Sequence, residues 1–552
     1  MSEKYVIGVD YGTDTCRALI LNAYSGEEIA TSVKNYPRWM EGKYSDSLKD
    51  QYRQHPLDYI EVLKNVMNDA LSNCPADVAG KVVGMAFDTT GSTPVLTDKN
   101  GIPLALKSGF EKNPNAMFIL WKDHTAVKEA SEINELARKW KTDYTRYEGG
   151  IYSSEWVWAK VLHILREDNE VRKAAYSWVE HCDWMPALLT GNTKPEDIRR
   201  SRCAAGHKAM WHESWGLPDE EFLVSIDSLL KGFRDRLYHK TYTSDIVAGT
   251  LTEEWAKNLG LTVNVKVGVG ALDAHLGAVG GEISPKVLLR IMGTSTCDII
   301  IASNREMENK LVPGICGQVN GSVIPGYIGM EAGQSAFGDV YAWFKNLLSW
   351  PISLLKDKEK ARKLEQQILP KLTEKASKIP IAESTLLATD WLNGRRTPDA
   401  NPIVKGTITG ITLGTSAPII FRALVEATAF GSKAIIDRFI ENGIEIKEVI
   451  ALGGVAKKSD LVMQILSDVL NMPIKIIRSE QACALGAAML AAVNAGIYEN
   501  VEEAQKALGK GFEKEFIPNY ENHKKYINIY EKYLNLCEIT ENLMVKQDLF
   551  DV

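Results

Sequence analysis

The sequence has no Cys-x-x-Cys pair, no apolar run of membrane-spanning length and no excess of positive charge. Each absence narrows the chemistry. The eight cysteines lie far apart, which argues against a zinc cage or redox pair and reads as reduced core thiols. The most apolar stretch, "VLLRIMGTSTCDIII", is broken by Arg290 and Asp298. A net charge of −7 leaves no electrostatic footprint for nucleic acid or anionic lipid. No basic region followed by a cleavable apolar segment opens the chain, so a cytoplasmic location is expected.

Four familiar motifs are also missing. Without Gly-x4-Gly-Lys-Ser/Thr, Gly-x-Gly-x-x-Gly, His-Glu-x-x-His or Gly-x-Ser-x-Gly, the P-loop, dinucleotide, zincin and serine-hydrolase readings lose their support.

What is present is ordinary in bulk: 552 residues, 45% hydrophobic and 24% charged, too long for a single core. The expected fold is α/β, with strands at Tyr5–Asp10, Ala18–Asn22 and Ile29–Asn35, then a helix over Pro56–Ser72. A strand in "VVGMAFD" and a hairpin turning at Asn100-Gly101 follow. Residues from Trp121 to Tyr238 are richer in helix and tryptophan and read as an elaboration that shapes a pocket. A second α/β unit starts near Val287, with a hairpin at Asn320-Gly321 and helices over Arg422–Glu441 and Tyr520–Lys546. The expected domains are therefore 1–284 and 285–552.

The two units share a signature. "YGTDTCRALIL" and "MGTSTCDIII" both carry Gly-Thr-x-Thr-Cys between apolar strands. Such turns present backbone N–H groups and hydroxyls together, which suits a polyphosphate without a lysine. Asp10 ends a buried apolar strand, where a carboxylate is costly unless it is paired or near a cation; Mg²⁺ is the natural partner beside phosphates. The second unit has Ile291 at that place. In "VGVGALDAHLGAVG", Asp273 stands after a strand and at the start of a small-residue helix, as a general base or a helix cap would. Gly453 and Gly454 form another strand-to-helix junction, open enough for a flat ring to approach.

These motifs, with "SSEWVWAKV", "CAAGHKAMWH", "EAGQSAFGDVYAWF" and "GGVAKKSDLVMQILSDVL", resemble the FGGY carbohydrate kinases of the actin-like ATPase superfamily almost end to end. Within that family the chain is most similar to members acting on L-ribulose. The resemblance implies two duplicated ribonuclease H-like domains with the active site in the cleft between them. It implies transfer of the ATP γ-phosphate to the 5-hydroxyl of L-ribulose in L-arabinose catabolism, with D-ribulose, D-xylulose or ribitol as alternative acceptors.

By the same resemblance, Asp273 is the catalytic base and Asp10 holds Mg²⁺ through water. Gly12, Thr13 and Thr15 match the first phosphate turn, and Gly293, Thr294 and Ser295 the second. Gly91, Trp121, Lys208 and Glu331 match the sugar pocket. Gly338, Gly454 and Lys458 match the adenine or phosphate side, although relatives often have Asn where Lys458 stands. Partners would be the sugar and MgATP, with a homodimer left open.

Overall fold

The computed structural model describes residues 3–381 and 386–545. Two mixed sheets, each of seven strands among the described residues, dominate it. The first runs in the order Val247–Thr250, Lys266–Gly268, Val82–Thr89, Tyr5–Tyr11, Thr15–Asn22, Glu28–Asn35, with Ala271–Leu272 also on Val82–Thr89. The second runs Gly317–Asn320, Tyr327–Ala332, Thr296–Ser303, Val287–Met292, Glu448–Leu452, Ile474–Ile477, Phe512–Phe516.

The sheets repeat one plan. Each has an antiparallel meander whose first strand pairs in parallel with a later strand, Val82–Thr89 in one and Glu448–Leu452 in the other. A parallel partner needs a crossover, and the chain between carries the helices. Pro56–Ser72 forms as expected, with His55 accepting from Leu57 N–H and Pro56 at the first helical turn. The long helix of the second unit starts earlier than its apolar pattern suggests, covering Ala417–Glu441. The last helix is Tyr520–Val545, and Lys546, its expected end, lies outside the described residues.

One expectation needs correction. The Asn100-Gly101 turn forms, with Gly101 N–H donating to Asp98 O at 3.0 Å, but only a single bridge, Thr97 to Pro103, closes it. The strand Pro94–Thr97 pairs instead with Ser177–Glu180, far along the chain. Local turn chemistry was right, and a non-local partner won the strand. The helical elaboration has its own core around Trp156, Trp158, Trp178 and Trp211.

The two sheets are joined by crossed small-residue helices, Asp273–Gly280 and Ala482–Asn494. One continuous apolar core holds Val6 and Leu19 of the first sheet with Leu289 and Ile450 of the second, and both helices run through it. The backbones meet so closely that a Cβ on Gly486 would stand 1.9 Å from Leu276 O. This is why alanine and glycine fill both helices: bulk there would push the sheets apart.

Candidate active site

The site begins with strand ends. Asp10 lies directly opposite Arg17 across the first turn and beside Asp88 on the parallel neighbour strand. Both aspartates are buried, and Arg17 Nε stands 3.2 Å from Asp10 Oδ2. Asp88 has no ion pair of its own among the described residues: its hydrogen-bonding neighbour is the Asp10 carboxyl, and Arg17 acts on it only from beyond Asp10. Burial, and after it the Asp10 charge, pushes the Asp88 carboxyl well above the usual range. Burial also raises Asp10, with Arg17 opposing. Sequence reasoning picked out Asp10 and overlooked Asp88, although "VVGMAFD" carries the same signal of an acid closing an apolar strand.

Asp10, Asp88 and the Cys483 sulfur bring their donor atoms within 4.8 Å of one another. The two carboxylates suit a hard, partly hydrated Mg²⁺, and two buried carboxyl groups side by side are a reason for a cation there; the thiol does not suit Mg²⁺.

Asp273 opens its helix, and its Oδ1 accepts from Ala274 N–H at 2.7 Å. Burial first, then the Asp10 charge, pushes its pKa up to about 7; Glu331 adds to the rise and Lys208 opposes it. The group thus feels Asp10 on one side and the Lys208–Glu331 pair on the other. A carboxylate held near neutrality is tuned for proton transfer.

Lys208 and Glu331 come from different halves of the chain. Lys208 closes the short helix Arg202–Lys208, and Glu331 lies on Tyr327–Ala332. The Lys208 ammonium donates to both Glu331 oxygens, at 2.9 and 3.0 Å. Burial disfavours charge on each, yet the pairing wins: Lys208 is held above its usual range and Glu331 below its own. His207 and His275 stand beside them, both fully buried, with ring centroids 4.6 Å apart. Burial keeps both imidazoles neutral at pH 7, pulling His275 down to about 4. Sequence reasoning missed this histidine pair, because its members meet only through the fold.

Gly91 packs against the residue before Asp273: a Cβ there would lie 2.0 Å from Leu272 Cδ2. Trp121 reaches the first turn, its indole Nε1 donating to Thr13 Oγ1 at 3.0 Å. Trp121 and the first turn are thereby tied together.

The two Gly-Thr turns are similar without being identical. Gly12 N–H donates to Thr15 O at 2.9 Å, whereas Gly293 N–H donates to Ser295 O at 3.0 Å. Tyr11 faces Cys16 in the first, but Met292 faces Thr296 in the second, so the second turn is one residue shorter. Charge is rearranged as well. Where the first meander pairs Asp10 with Arg17, the second has Arg290 in a doubly bonded pair with Asp298, 2.6 Å in each bond and wholly buried.

Gly338 starts the helix Gly338–Ser353 against the second turn, donating from its N–H to Gly293 O at 3.1 Å. A Cβ at Gly338 would meet that same oxygen at 2.4 Å and the Val455 side chain at 3.2 Å, so Gly293, Gly338 and Gly454–Val455 share one corner. Gly454 is exposed with open space before it, and Lys458 is exposed at the end of the same short helix, Gly454–Lys458.

This arrangement is that of a two-lobed sugar kinase. The crystal structure of xylulose kinase from Rhodospirillum rubrum has the same fold, with a TM-score of 0.77 over 98% of this chain and 100% of that one at 19% identity. The family models carry the identification further. The N-terminal domain model of the FGGY family of carbohydrate kinases matches residues 5–280, and its C-terminal domain model matches 288–495. The chain belongs to the FGGY family of carbohydrate kinases and is a phosphotransferase. It is similar to the ribulokinase of Vibrio parahaemolyticus, 47% identical over 98% of this chain and 97% of that protein. It is also similar to the ribulokinase of Shouchella clausii, 38% identical over 97% and 95%. The family's chemistry makes its partners a small sugar and a nucleotide. No described helix is long and apolar enough to cross a membrane.

Proposed function

We propose that this chain is an ATP-dependent kinase for ribulose, transferring the γ-phosphate to the 5-hydroxyl of L-ribulose. Full-length similarity to proteins named ribulokinase supports the acceptor. The observation that carries the chemistry is the Asp273 carboxyl, raised to about 7 between Asp10 and the Lys208–Glu331 pair.

In this reading the sugar lies against Gly91, Trp121, Lys208 and Glu331. Asp273 takes the 5-hydroxyl proton as that oxygen bonds to the γ-phosphorus. The bond from γ-phosphorus to the β–γ bridging oxygen breaks, ADP leaves, and the proton stays on Asp273. The Gly12–Thr15 and Gly293–Ser295 turns hold the phosphates through N–H groups and hydroxyls, and the corner of Gly338 and Gly454 receives the adenine, with Lys458 at its rim. Asp10, with Asp88 beside it, would hold Mg²⁺, which supplies positive charge to the phosphates when bound. Approach of the two sheets about their crossed helices would exclude water, so that the sugar and not water accepts the phosphate. We take the domains as 1–284 and 285–552, the division falling between helix Asp273–Gly280 and strand Val287–Met292, and the location as cytoplasmic.

A coupled ADP-release assay across ketopentoses and pentitols tests the acceptor. L-ribulose is expected to give the highest kcat/KM; a higher value for D-xylulose or ribitol would replace it.

A further inference from the structure

Lys160, in the "SSEWVWAKV" stretch, has no part in the chemistry above, yet it is 1% exposed near the start of helix Val157–Glu167. Its ammonium donates to Ser92 O at 2.9 Å and to Leu120 O at 2.8 Å. Ser92 follows Gly91 and Leu120 precedes Trp121. The two carbonyls therefore belong to two separate walls of the sugar pocket, one after strand Val82–Thr89 and one after Phe118–Ile119.

Glu180 completes the arrangement from a third segment. It accepts from the Ser92 hydroxyl and, through Oε2, from Thr93 N–H at 2.8 Å. Burial pulls Lys160 down to about 7, with Glu180 and then Glu155 opposing. A buried ammonium is costly, and an apolar side chain of that volume would fill the space at less cost. What an apolar side chain cannot do is hold two carbonyls at a fixed separation.

We propose that Lys160, steadied by Glu180, is a positioning residue that sets the width of the acceptor pocket and so its choice of sugar. The inference rests on the reading of Gly91 and Trp121 as pocket walls.

The test is steady-state kinetics of Lys160→Met in the full-length protein, using whichever ketopentose the wild type turns over best. That choice keeps the inference separate from the identity of the sugar. The expected result is a sugar KM raised about tenfold or more, an ATP KM within about twofold, and a smaller kcat/KM ratio between the best and second-best sugars. Lys160→Arg should restore part of the ratio. A folded Lys160→Met with an unchanged sugar KM, or with both KM values raised equally, would overturn the proposal. If Lys160→Met does not fold, Ser92→Ala removes the hydroxyl bond to Glu180 that steadies the brace, while both bonds from the ammonium to the backbone carbonyls stay in place. It is expected to raise the sugar KM about threefold by loss of one hydrogen bond, and no change would count against the proposal.

Discussion

Lys208 and Glu331 join the two halves of the chain, the ammonium bonded to both carboxylate oxygens at 2.9 and 3.0 Å. The pair joins the helical elaboration of the first half to an antiparallel strand of the second sheet. In the proposed reading the sugar lies against this pair, whose donors and acceptors can bond to its hydroxyls.

Glu331→Ala leaves a buried ammonium without its partner. Loss of one member of such a pair costs about 3 kcal/mol or more, which a lowered apparent Tm would register. The kcat/KM for the sugar should fall about 100-fold, with the KM for ATP nearly unchanged. A sugar KM that stays put would remove the pair from the acceptor site.

Asp273 makes a prediction about pH. As a base it acts only when ionised, and its folded pKa is about 7, so kcat/KM should rise with pH up to that value and then level. Stability runs the other way. The folded value lies above the ordinary carboxylate value of the unfolded chain, so the folded state holds its proton more tightly, and stability is lost as pH rises through about 7. Asp273→Asn should therefore lose about 10²- to 10⁴-fold in kcat while melting higher than wild type at pH 8. Near-normal turnover in this variant would reject the base assignment.

Asp88 is the residue to examine on the metal side. It is fully buried and stands beside Asp10 on the adjacent strand, with the Asp10 carboxyl as its hydrogen-bonding neighbour. Asp88→Ala should raise the Mg²⁺ concentration for half-maximal activity about tenfold while leaving the sugar KM alone, as loss of a supporting ligand does. Magnesium titrations that superimpose with wild type would make Asp88 a purely structural acid.

Much of this was legible in the sequence, and the boundary of legibility is physical. Strand–turn–strand patterns are local, so both meanders and the Pro56–Ser72 helix could be read from periodicity and turn residues. Asp10 and Asp273 were visible because an acid at the end of an apolar strand is conspicuous. Asp88 was equally conspicuous and was passed over. Lys160, Glu180, His207 and His275 could not be read, since their roles depend on partners brought together by the fold. The one-residue difference between the two Gly-Thr turns was hidden because the aligned letters match while the strand register does not.

The crossed helices give the last prediction. Gly486 on Ala482–Asn494 faces Leu276 O, and an added Cβ would stand 1.9 Å from it, while its next neighbours, Gly280 N and Leu276 C, are backbone at 2.8 Å. Backbone cannot rotate aside as a side chain does, so Gly486→Ala must separate the two helices by a substantial part of an ångström or more. Overpacking of this kind costs about 1–3 kcal/mol, and here the strain falls on a core shared by both sheets. The altered spacing should also hinder closure, lowering kcat for the sugar reaction and raising the fraction of ATP lost to water. Tm, kcat and sugar-independent ADP release measured on the same preparation check all three effects. A variant with wild-type values in each would mean that the helices can slide freely and that the shared core does not set the spacing of the cleft.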